Sequence, residues 1–450
     1  MTPVLDASPS EKTAAPFPAL AGADPALAPV VDKVLAGIRL TRDDGLVLFE
    51  SPDVWTICRL ADLVRRRLHG DVAYYNINRH VNYSNVCALS CKFCAFFRKK
   101  DEDGAYEMSV DDIVADATRA AAAGATELHI VGGLHPWLKF DYYTDMLRAI
   151  REAAPNLHIK AFTAVEIVHL ARLSGRWKQR YEGILAVLRD LKDAGLGSLP
   201  GGGAEVFDDR VHDEAYKGKI RSDEWLDVHR AAHELGLNSN ATMLYGHIEQ
   251  RAERLHHMML LREQQDRTLG AWAAAQGITP QAQPTSGGTD APAIVLTGPD
   301  EAYPGARLPM PGASATGYFQ TIIPLPFFPD DSELEALPAP TGLENLRTLA
   351  VARLMLDNFP HVKAFWIMQT LEMAQFMLQN GADDIDGTVV WYDITKVGGA
   401  STHQETTVWD LQRAIREAGF RPVERDTLYR PIERVDGSTW RVVADSSVTA

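Results

Sequence analysis

The stretch Cys87-Ala-Leu-Ser-Cys91-Lys-Phe-Cys94 decides the fold and holds three of the four cysteines in the chain. Cysteines this close cannot bridge one another without strain, because so tight a loop lacks the Cα separation and dihedral angle of a disulfide. A loop of this size can instead direct three thiolates at one iron–sulfur cluster, which is usually held by four cysteines. Three local ligands and no evident fourth predict a [4Fe–4S] cluster with one iron open to a non-protein ligand.

These cysteines could also serve a zinc site or the core. A structural zinc site usually combines two C-x-x-C pairs, or cysteines with histidines at set spacing, and the sequence holds no second pair. Three buried cysteines that serve only the core would not need this spacing. The fourth cysteine, Cys58, lies in an apolar helical stretch over 55–64 and is expected to be a small core residue.

Composition describes an ordinary globular protein of 450 residues, of which 46% are hydrophobic and 23% are charged. The net charge of −15 argues against nucleic acid or an anionic membrane as the main partner. No apolar run reaches the roughly 18 residues of a membrane span, and the N-terminus lacks the basic and apolar regions of a secretory signal. Because three of only four cysteines sit in one ligand motif, we expect a reducing compartment, the cytoplasm.

The sequence divides into four segments. Residues 1–28 are rich in Ala, Pro, Ser and Asp and predict a disordered tail. Residues 29–70 predict an N-terminal helical cap, 71–400 the main domain, and 401–450 a C-terminal extension of helix and strand. Within the main domain, residues 270–316 are rich in Ala, Pro, Gly, Ser and Thr and predict a flexible, exposed insert, either a lid or a tolerated surface loop.

Strand and helix patterns alternate along the main domain, which makes the fold class α/β. The predicted strands are 71–83, 127–131, 157–163, 197–199, 238–245, 318–325, 361–367 and 387–392. Strands separated by helices imply parallel βαβ units, and eight such units predict a closed (β/α)8 barrel of the TIM type. The active site of such a barrel lies at the C-terminal ends of the strands.

Glycine-rich turns follow several of these strands. Gly132-Gly133 follows the second strand, and Gly201-Gly202-Gly203 with Glu205 follows the fourth. Residues without a side chain let the backbone approach a ligand closely. A plain flexible turn remains the alternative at the fourth strand.

The cysteine run, with Phe93 before its last cysteine and a barrel pattern around it, resembles the signature of the radical S-adenosylmethionine (SAM) enzymes. The resemblance implies that the open iron chelates the amino and carboxylate groups of SAM. It also implies that an electron from the cluster releases a 5′-deoxyadenosyl radical. The implied metal ligands are Cys87, Cys91 and Cys94, and the implied SAM-binding residues are Phe93, Gly132, Gly133, Glu205, Gly246 and Glu249.

A finer resemblance rests on longer runs. VGGLHP (131–136), SLPGGGAEVF (198–207), NATMLYGHIE (240–249) and ERDTLY (424–429) are similar to the aminofutalosine synthase family of the menaquinone pathway. The resemblance implies that the 5′-deoxyadenosyl radical adds to the enol ether of 3-[(1-carboxyvinyl)oxy]benzoate. Rearrangement and loss of carbon dioxide then give 6-amino-6-deoxyfutalosine, so SAM is consumed as a co-substrate. An electron donor such as flavodoxin or ferredoxin is implied as a partner.

A substrate with two carboxylates should meet cations or polar donors at the barrel mouth. Candidate residues at strand ends are His135, Lys160, Arg210, His247 and Lys363. His135 and His247 are the predicted catalytic residues, since histidine is the usual acid–base group near neutral pH. Lys160, Arg210 and Lys363 are the predicted substrate-binding residues. A radical site should also exclude water, and the apolar candidates for its lining are Phe93, Phe162, Met243, Phe319 and Trp366.

Two further functions stay open. One is a sister radical SAM enzyme, such as the dehypoxanthine futalosine cyclase or a deazaflavin-cofactor synthase, which would yield free 5′-deoxyadenosine. The second is a non-catalytic iron–sulfur sensor, which would bind a cluster without cleaving SAM.

Overall fold

The computed structural model describes residues 23–275, 281–284, 290–293, 316–389 and 405–443. The helices of these ranges are α1 (Ala28–Leu35), α2 (Arg42–Glu50), α3 (Val54–His69), α4 (Val110–Ala122), α5 (Phe140–Ala153), α6 (Ala164–Leu173), α7 (Tyr181–Ala194), α8 (Asp209–Ala215), α9 (Ser222–Glu234), α10 (Arg251–Ala275), α11 (Gly342–Met355), α12 (Trp366–Gln369), α13 (Leu371–Leu378) and α14 (Val408–Glu417). None of them is both long enough and apolar enough to cross a membrane.

The strands are β1 (Val72–Asn76), β2 (Asn78–Val81), β3 (Glu127–Ile130), β4 (His158–Ala161), β5 (Ser198–Leu199), β6 (Asn238–Tyr245), β7 (Gln281–Pro284), β8 (Asp290–Ala293), β9 (Phe319–Pro326), β10 (His361–Val362), β11 (Asp384–Gly387), β12 (Arg421–Glu424), β13 (Ile432–Arg434) and β14 (Trp440–Val442). Seven of them form one parallel sheet in the order β10-β9-β6-β5-β4-β3-β2.

A single bent strand closes this sheet into a ring. β1 and β2 are separated only by Ile77; β2 pairs with β3, while β1 pairs in parallel with β11. Lys363, next to β10, forms a parallel bridge with Asp384 of β11, and the Ala364 N–H donates to the Asp384 carbonyl at 2.8 Å. Counting β1 and β2 as one strand, eight parallel strands surround the lumen, which confirms the predicted (β/α)8 architecture.

Local sequence explains where several helices begin. Thr41, Ser109 and Thr163 each open a helix with a capping box. The hydroxyl accepts a hydrogen bond from the backbone N–H three positions later, and the acidic side chain at that position accepts one from the backbone N–H of the capping residue. The helix α6 that follows Thr163 was not predicted, and neither was the short helix α8. Both fill gaps between predicted elements, so the prediction of alternating strands and helices does not change.

Two predicted strand boundaries are wrong. The seventh strand was expected over 361–367, but β10 ends at Val362 and Trp366 begins α12, where its indole N–H donates to the Gly387 carbonyl at 2.8 Å. The eighth strand was expected to begin at Gly387, but β11 begins at Asp384 and ends at Gly387. Residues 390–392 of that prediction lie outside the described residues.

The N-terminal helices pack against the barrel and are tied to it by buried arginines. Arg39 pairs with Asp266 at 2.5 Å and with Asp357 at 2.6 Å. Arg347 of α11 donates to the carbonyls of Leu48 and Ser51. In α3, Cys58 is buried, as expected of a core residue. Residues 1–22 of the predicted tail lie outside the described residues.

Helix α10 continues to Ala275, six residues into the predicted insert, and β7 and β8 pair there as an antiparallel hairpin. Residues 276–280, 285–289 and 294–315 lie outside the described ranges. After the barrel, α14 leads into β12, which pairs in parallel with β1. Arg425, just after β12, donates from Nε to Asp384 Oδ2 at 2.6 Å, so the C-terminal segment contributes a buried charge pair to the barrel.

Candidate active site

A cavity of about 310 Å³ opens at the C-terminal ends of the strands and reaches down into the lumen. Its rim includes the cysteine loop, the Gly132-Gly133 turn after β3 and the glycine-rich turn after β5. Its floor includes side chains from β2, β3, β4, β6 and β11. The position agrees with the expectation that the loops at this face of the barrel build the site.

The cysteine loop is held at the rim by backbone hydrogen bonds. The Cys87 N–H donates to the Arg98 carbonyl at 3.0 Å, and the Ala88 N–H donates to the Leu134 carbonyl at 2.9 Å. The Lys92 N–H donates to the Ala215 carbonyl at 2.9 Å. All three cysteines of the loop are unbridged and line the cavity.

The three thiols fit a [4Fe–4S] cluster better than a zinc ion. A zinc ion, with Zn–S bonds of about 2.3 Å, holds its sulfurs about 3.8 Å apart. Among the described residues, the group of three potential ligand atoms within 4.8 Å of one another is His69, His361 and Asp383. At least one pair of the three sulfurs therefore lies more than 4.8 Å apart, which is farther than zinc holds its ligands. Cys58 does not line the cavity, and a cluster held here would lack a fourth cysteine ligand from the described residues.

The surroundings of the thiols agree with this assignment. Cys87 Sγ accepts the N–H groups of Leu89 and Leu134, each at 3.4 Å, as ligand sulfurs of clusters commonly do. Burial raises the pKa of the Cys91 thiol to about 11 and also raises that of Cys94. Thiols this weakly acidic become thiolates near neutral pH only when a metal binds them.

The Gly132-Gly133 turn lies directly against the base of the cysteine loop. A Cβ at Gly133 would stand 2.4 Å from the Val86 carbonyl oxygen, and one at Gly132 would stand 2.6 Å from the Tyr83 ring. Only glycine allows this approach, so the turn and the cysteine loop form one rigid rim.

Glu166 anchors that turn and was not predicted from the sequence. Its Oε1 accepts the Gly132 N–H at 3.1 Å and the Tyr83 hydroxyl at 2.9 Å, while its Oε2 accepts two bonds from Thr163. Burial raises the pKa of Glu166 to about 7, although these donors act in the opposite direction. The Thr163-x-x-Glu166 capping box was the available signal, since it places a carboxylate at a strand end.

Glu205 lies at the rim with a partner that the sequence did not reveal. It forms an ion pair with Lys219, whose ammonium stands 5.2 Å from the centre of the Phe93 ring. Burial acts to lower the pKa of Lys219, but Glu205 and Cys91 outweigh it and the pKa is raised. Glu205 has a φ of 47°, a strained conformation for a residue with a side chain, which positions its carboxylate at the cavity.

The floor of the cavity holds two buried lysine–carboxylate pairs. Lys160 Nζ lies 2.5 Å from Glu127 Oε1, and Lys363 Nζ lies 2.7 Å from Asp386 Oδ1. Both lysines were predicted from the sequence, and neither acid was. Burial is the main influence on Lys160 and lowers its pKa, whereas Lys160 and Lys363 hold the pKa of Glu127 well below its usual range in spite of burial.

His135, a predicted catalytic residue, is not among the residues that line the cavity. Its Nε2 lies 2.8 Å from Glu107 Oε2, and its Nδ1 accepts the N–H groups of Trp137 and Leu138. Both ring nitrogens are therefore engaged in holding the turn before α5. The position after a strand was predicted correctly, but the side chain contacts Glu107 and the turn before α5.

The turn after β6 is likewise closed on itself, so Gly246, His247 and Glu249 do not reach the cavity. Glu249 accepts the N–H groups of Gly246 and His247 at 2.6 and 2.9 Å and pairs with Arg254 at 2.6 Å. The His247 ring is buried, with Nε2 3.2 Å from the Leu244 carbonyl. The turn uses its polar groups for its own structure.

Arg210 lies on the surface, where it pairs with Glu253 at 2.7 Å. Of the predicted apolar lining, Phe93 lines the cavity, whereas Phe162, Met243, Phe319 and Trp366 are buried elsewhere in the core. A different set of aromatic residues lines the cavity in their place: Phe96, Phe97, Phe327, Phe328 and Phe365.

Comparisons with known proteins agree with this site. The model of the radical SAM superfamily matches residues 81–261, which include the three cysteines, and the model of the CofH/MqnC C-terminal region matches residues 315–437. The solved structure of methylornithine synthase superposes with a TM-score of 0.61 at 15% identity, covering 87% of this chain and 97% of that chain. At this identity the likeness shows the fold.

Two curated relatives carry the finer comparison. Aminodeoxyfutalosine synthase of Thermus thermophilus is 41% identical over 91% of this chain and 96% of its own length. Aminodeoxyfutalosine synthase of Streptomyces coelicolor is 40% identical over 90% of this chain and 94% of its own length. With its three-cysteine cavity and a match along nearly its whole length, the chain belongs to the radical SAM superfamily and, within it, to the aminodeoxyfutalosine synthase family.

Proposed function

We propose that the protein is an aminodeoxyfutalosine synthase. It joins the 5′-deoxyadenosyl group of SAM to 3-[(1-carboxyvinyl)oxy]benzoate and releases carbon dioxide, giving 6-amino-6-deoxyfutalosine. The observation that carries the proposal is one continuous cavity, with the three thiols at its rim and two buried lysines at its floor. The relatives that match nearly the whole chain support the same activity.

The rim is the proposed SAM site. Cys87, Cys91 and Cys94 hold the [4Fe–4S] cluster, which when bound supplies the electron that cleaves a carbon–sulfur bond of SAM. Glu205 accepts hydrogen bonds from the donor groups of SAM, and the Lys219 ammonium balances its carboxylate. The backbone of Gly132 and Gly133 borders the same space and keeps it free of side chains.

The floor is the proposed substrate site. Each lysine of the two pairs donates one hydrogen bond to its carboxylate, and an ammonium carries three donors. Lys160 and Lys363 therefore have donors left for the two carboxylates of the substrate. Because both lysines are buried, these charge-assisted bonds would be strong and would fix the orientation of the substrate.

The phenylalanines of the cavity exclude water. Phe327, Phe328 and Phe365 line the cavity with Leu325 and Ile323. An apolar wall keeps bulk water and stray hydrogen donors from a reactive carbon radical. A one-electron donor such as flavodoxin or ferredoxin would serve the site, and free thiols at the rim favour a reducing compartment, the cytoplasm.

The product distinguishes this proposal from the sister activities. The cluster-loaded protein is incubated without oxygen with SAM, dithionite and 3-[(1-carboxyvinyl)oxy]benzoate, and the nucleosides are identified by mass spectrometry. We expect 6-amino-6-deoxyfutalosine as the main nucleoside. Free 5′-deoxyadenosine with no adduct would instead indicate a hydrogen-abstracting sister enzyme, and intact SAM would indicate a non-catalytic cluster protein.

A further inference from the structure

The floor of the cavity contains two histidines that the proposed function leaves without a role. His80 of β2 and His129 of β3 face each other across neighbouring strands, and their ring centroids are 4.4 Å apart. Both are buried or half-buried and both line the cavity. In the part of the chain that the structure describes, His129 Nε2 is buried and has no hydrogen-bond partner. A buried polar atom without a partner is costly unless a ligand or an ordered water supplies the missing hydrogen bond.

The charges around this pair balance while the site is empty. Lys160 is paired with Glu127 and Lys363 with Asp386, so the two pairs together are neutral. Burial lowers the pKa of His80 to about 4, and it lowers the pKa of His129 well below its usual value. Both imidazoles are therefore neutral near pH 7, and the histidine pair adds no charge to the floor.

A dianionic substrate changes this balance. Two carboxylates placed among the lysines add two negative charges to a buried space, where an uncompensated charge is expensive. His80 is faced by Asp386, Lys160, Glu127 and Lys363.

The titratable and charged groups that act electrostatically on His129 are His80, Lys160, Glu127 and Lys363. The lysines and carboxylates of this set are already paired with each other, whereas His129 Nε2 has no hydrogen-bond partner among the described residues. The imidazole pair is therefore the place where a proton can be added when negative charge arrives.

We propose that the His80–His129 pair takes up a proton from solvent when the dianionic substrate binds, and that the resulting imidazolium holds a substrate carboxylate together with the lysines. The inference rests on the proposed function for the identity of the substrate. Under this proposal the affinity of the floor for a dicarboxylate depends on protonation of the histidine pair as well as on the two lysines.

Calorimetry tests the proposal on the cluster-loaded protein without reductant, so that no turnover occurs. Binding of 3-[(1-carboxyvinyl)oxy]benzoate in the presence of SAM is measured at pH 7.5 in buffers with different ionisation enthalpies. We expect uptake of about one proton per substrate bound. Because binding and protonation favour each other, the affinity should fall about tenfold per pH unit as the pH rises from about 7 to about 8.5.

Substitutions locate the proton. In His80→Asn/His129→Gln, substrate should still bind, more weakly, with proton uptake near zero and an affinity independent of pH. The matched control is His229→Asn on α9, which belongs to another buried histidine pair, His229 and His233, that shares the Ser239 hydroxyl away from the cavity. The control should keep the uptake of the unaltered protein.

The outcomes separate the two proposals. Uptake that persists in the double variant would place the proton on Glu127, Asp386 or Lys160 and overturn the role of the histidines. Tight substrate binding without proton uptake in the unaltered protein would also overturn the role of the histidines. This test does not require the variants to fold. Failure of the substrate to bind, together with absence of the adenosyl product, would instead count against the proposed function.

Discussion

The rim and the floor of the cavity are built in different ways. The three thiols of the rim come from eight consecutive residues, Cys87 to Cys94, whose spacing alone predicts a cluster. The polar and charged groups of the floor come from β2, β3, β4 and β11 and from the residue after β10, which are brought together only when the barrel closes. A local motif thus provides the ligands of the cofactor, whereas the closed ring of strands assembles the site for the substrate. A substitution at the rim should therefore impair the binding of the cluster or SAM, and a substitution at the floor should impair the binding of the substrate.

The largest effect is expected at the rim. Cys91→Ala should abolish cluster loading and reduce product below detection, because three thiolates are the only cysteine ligands that the cavity offers among the described residues. Iron and sulfide content and the ultraviolet–visible spectrum of the oxygen-free protein measure loading. Cys58→Ala is the matched control, since Cys58 is buried in α3 away from the cavity and should leave loading intact. A loaded, active Cys91→Ala protein would refute the assignment.

A smaller effect is expected at the floor. Lys363→Met/Asp386→Asn removes one charge pair together, so that neither charge is left buried alone. The dissociation constant of the substrate should rise about 100-fold, since a buried charge-assisted contact to a carboxylate is lost. The dissociation constant of SAM should change by less than about twofold. Equal losses for both ligands, measured by calorimetry, would show that the two ends are not independent.

The complementary change at the rim should have the opposite selectivity. Lys219→Met/Glu205→Gln removes the charge pair beside the cysteine loop. We expect SAM binding to weaken about tenfold, with substrate affinity nearly unchanged. The effect is smaller than at the floor because the cluster provides most of the contact with SAM. Weaker binding of substrate than of SAM in this variant would contradict the assignment of the two ends.

The smallest effect concerns stability. Glu166→Gln places an amide N–H where the carboxylate accepts bonds from Gly132, Tyr83 and Thr163, and it weakens the cap of α6. The free energy of unfolding should fall by about 1 kcal/mol, as measured by urea denaturation. Glu152→Gln, at an exposed position of α5, is the control and should leave the stability unchanged. An unaltered stability for Glu166→Gln would show that the turn is held without this carboxylate.

The contrast also explains what could be predicted from sequence. The eight strands, the cysteine loop and the Gly132-Gly133 turn follow from patterns within about ten residues of one another. The structure contains all of them, with different boundaries for the seventh and eighth strands. Lys160 and Lys363, predicted from their positions in or after strands, line the cavity. His135 and His247 also follow strands, but position after a strand does not fix the direction of a side chain. Local N–H and carbonyl groups hold both rings, and neither residue lines the cavity.

The residues that were missed carried weaker signals. His80 and His129 lie two positions after Asn78 and Glu127, and polar residues at a spacing of two in a strand mark the face that looks into a barrel. That pattern could have identified the floor. Lys219 lies between α8 and α9 and approaches Glu205 only through the packing of α8. No pattern in the sequence therefore indicates this ion pair.

Transfer of an isotope label tests the central claim most directly, namely that one cavity brings SAM at the rim to a dicarboxylate at the floor. SAM carrying ¹³C at its 5′ carbon is incubated with reductant, the cluster-loaded protein and 3-[(1-carboxyvinyl)oxy]benzoate. The account predicts that the label appears in 6-amino-6-deoxyfutalosine, with one methionine formed for each product. Label found only in free 5′-deoxyadenosine, with the enol ether unconsumed, would contradict it.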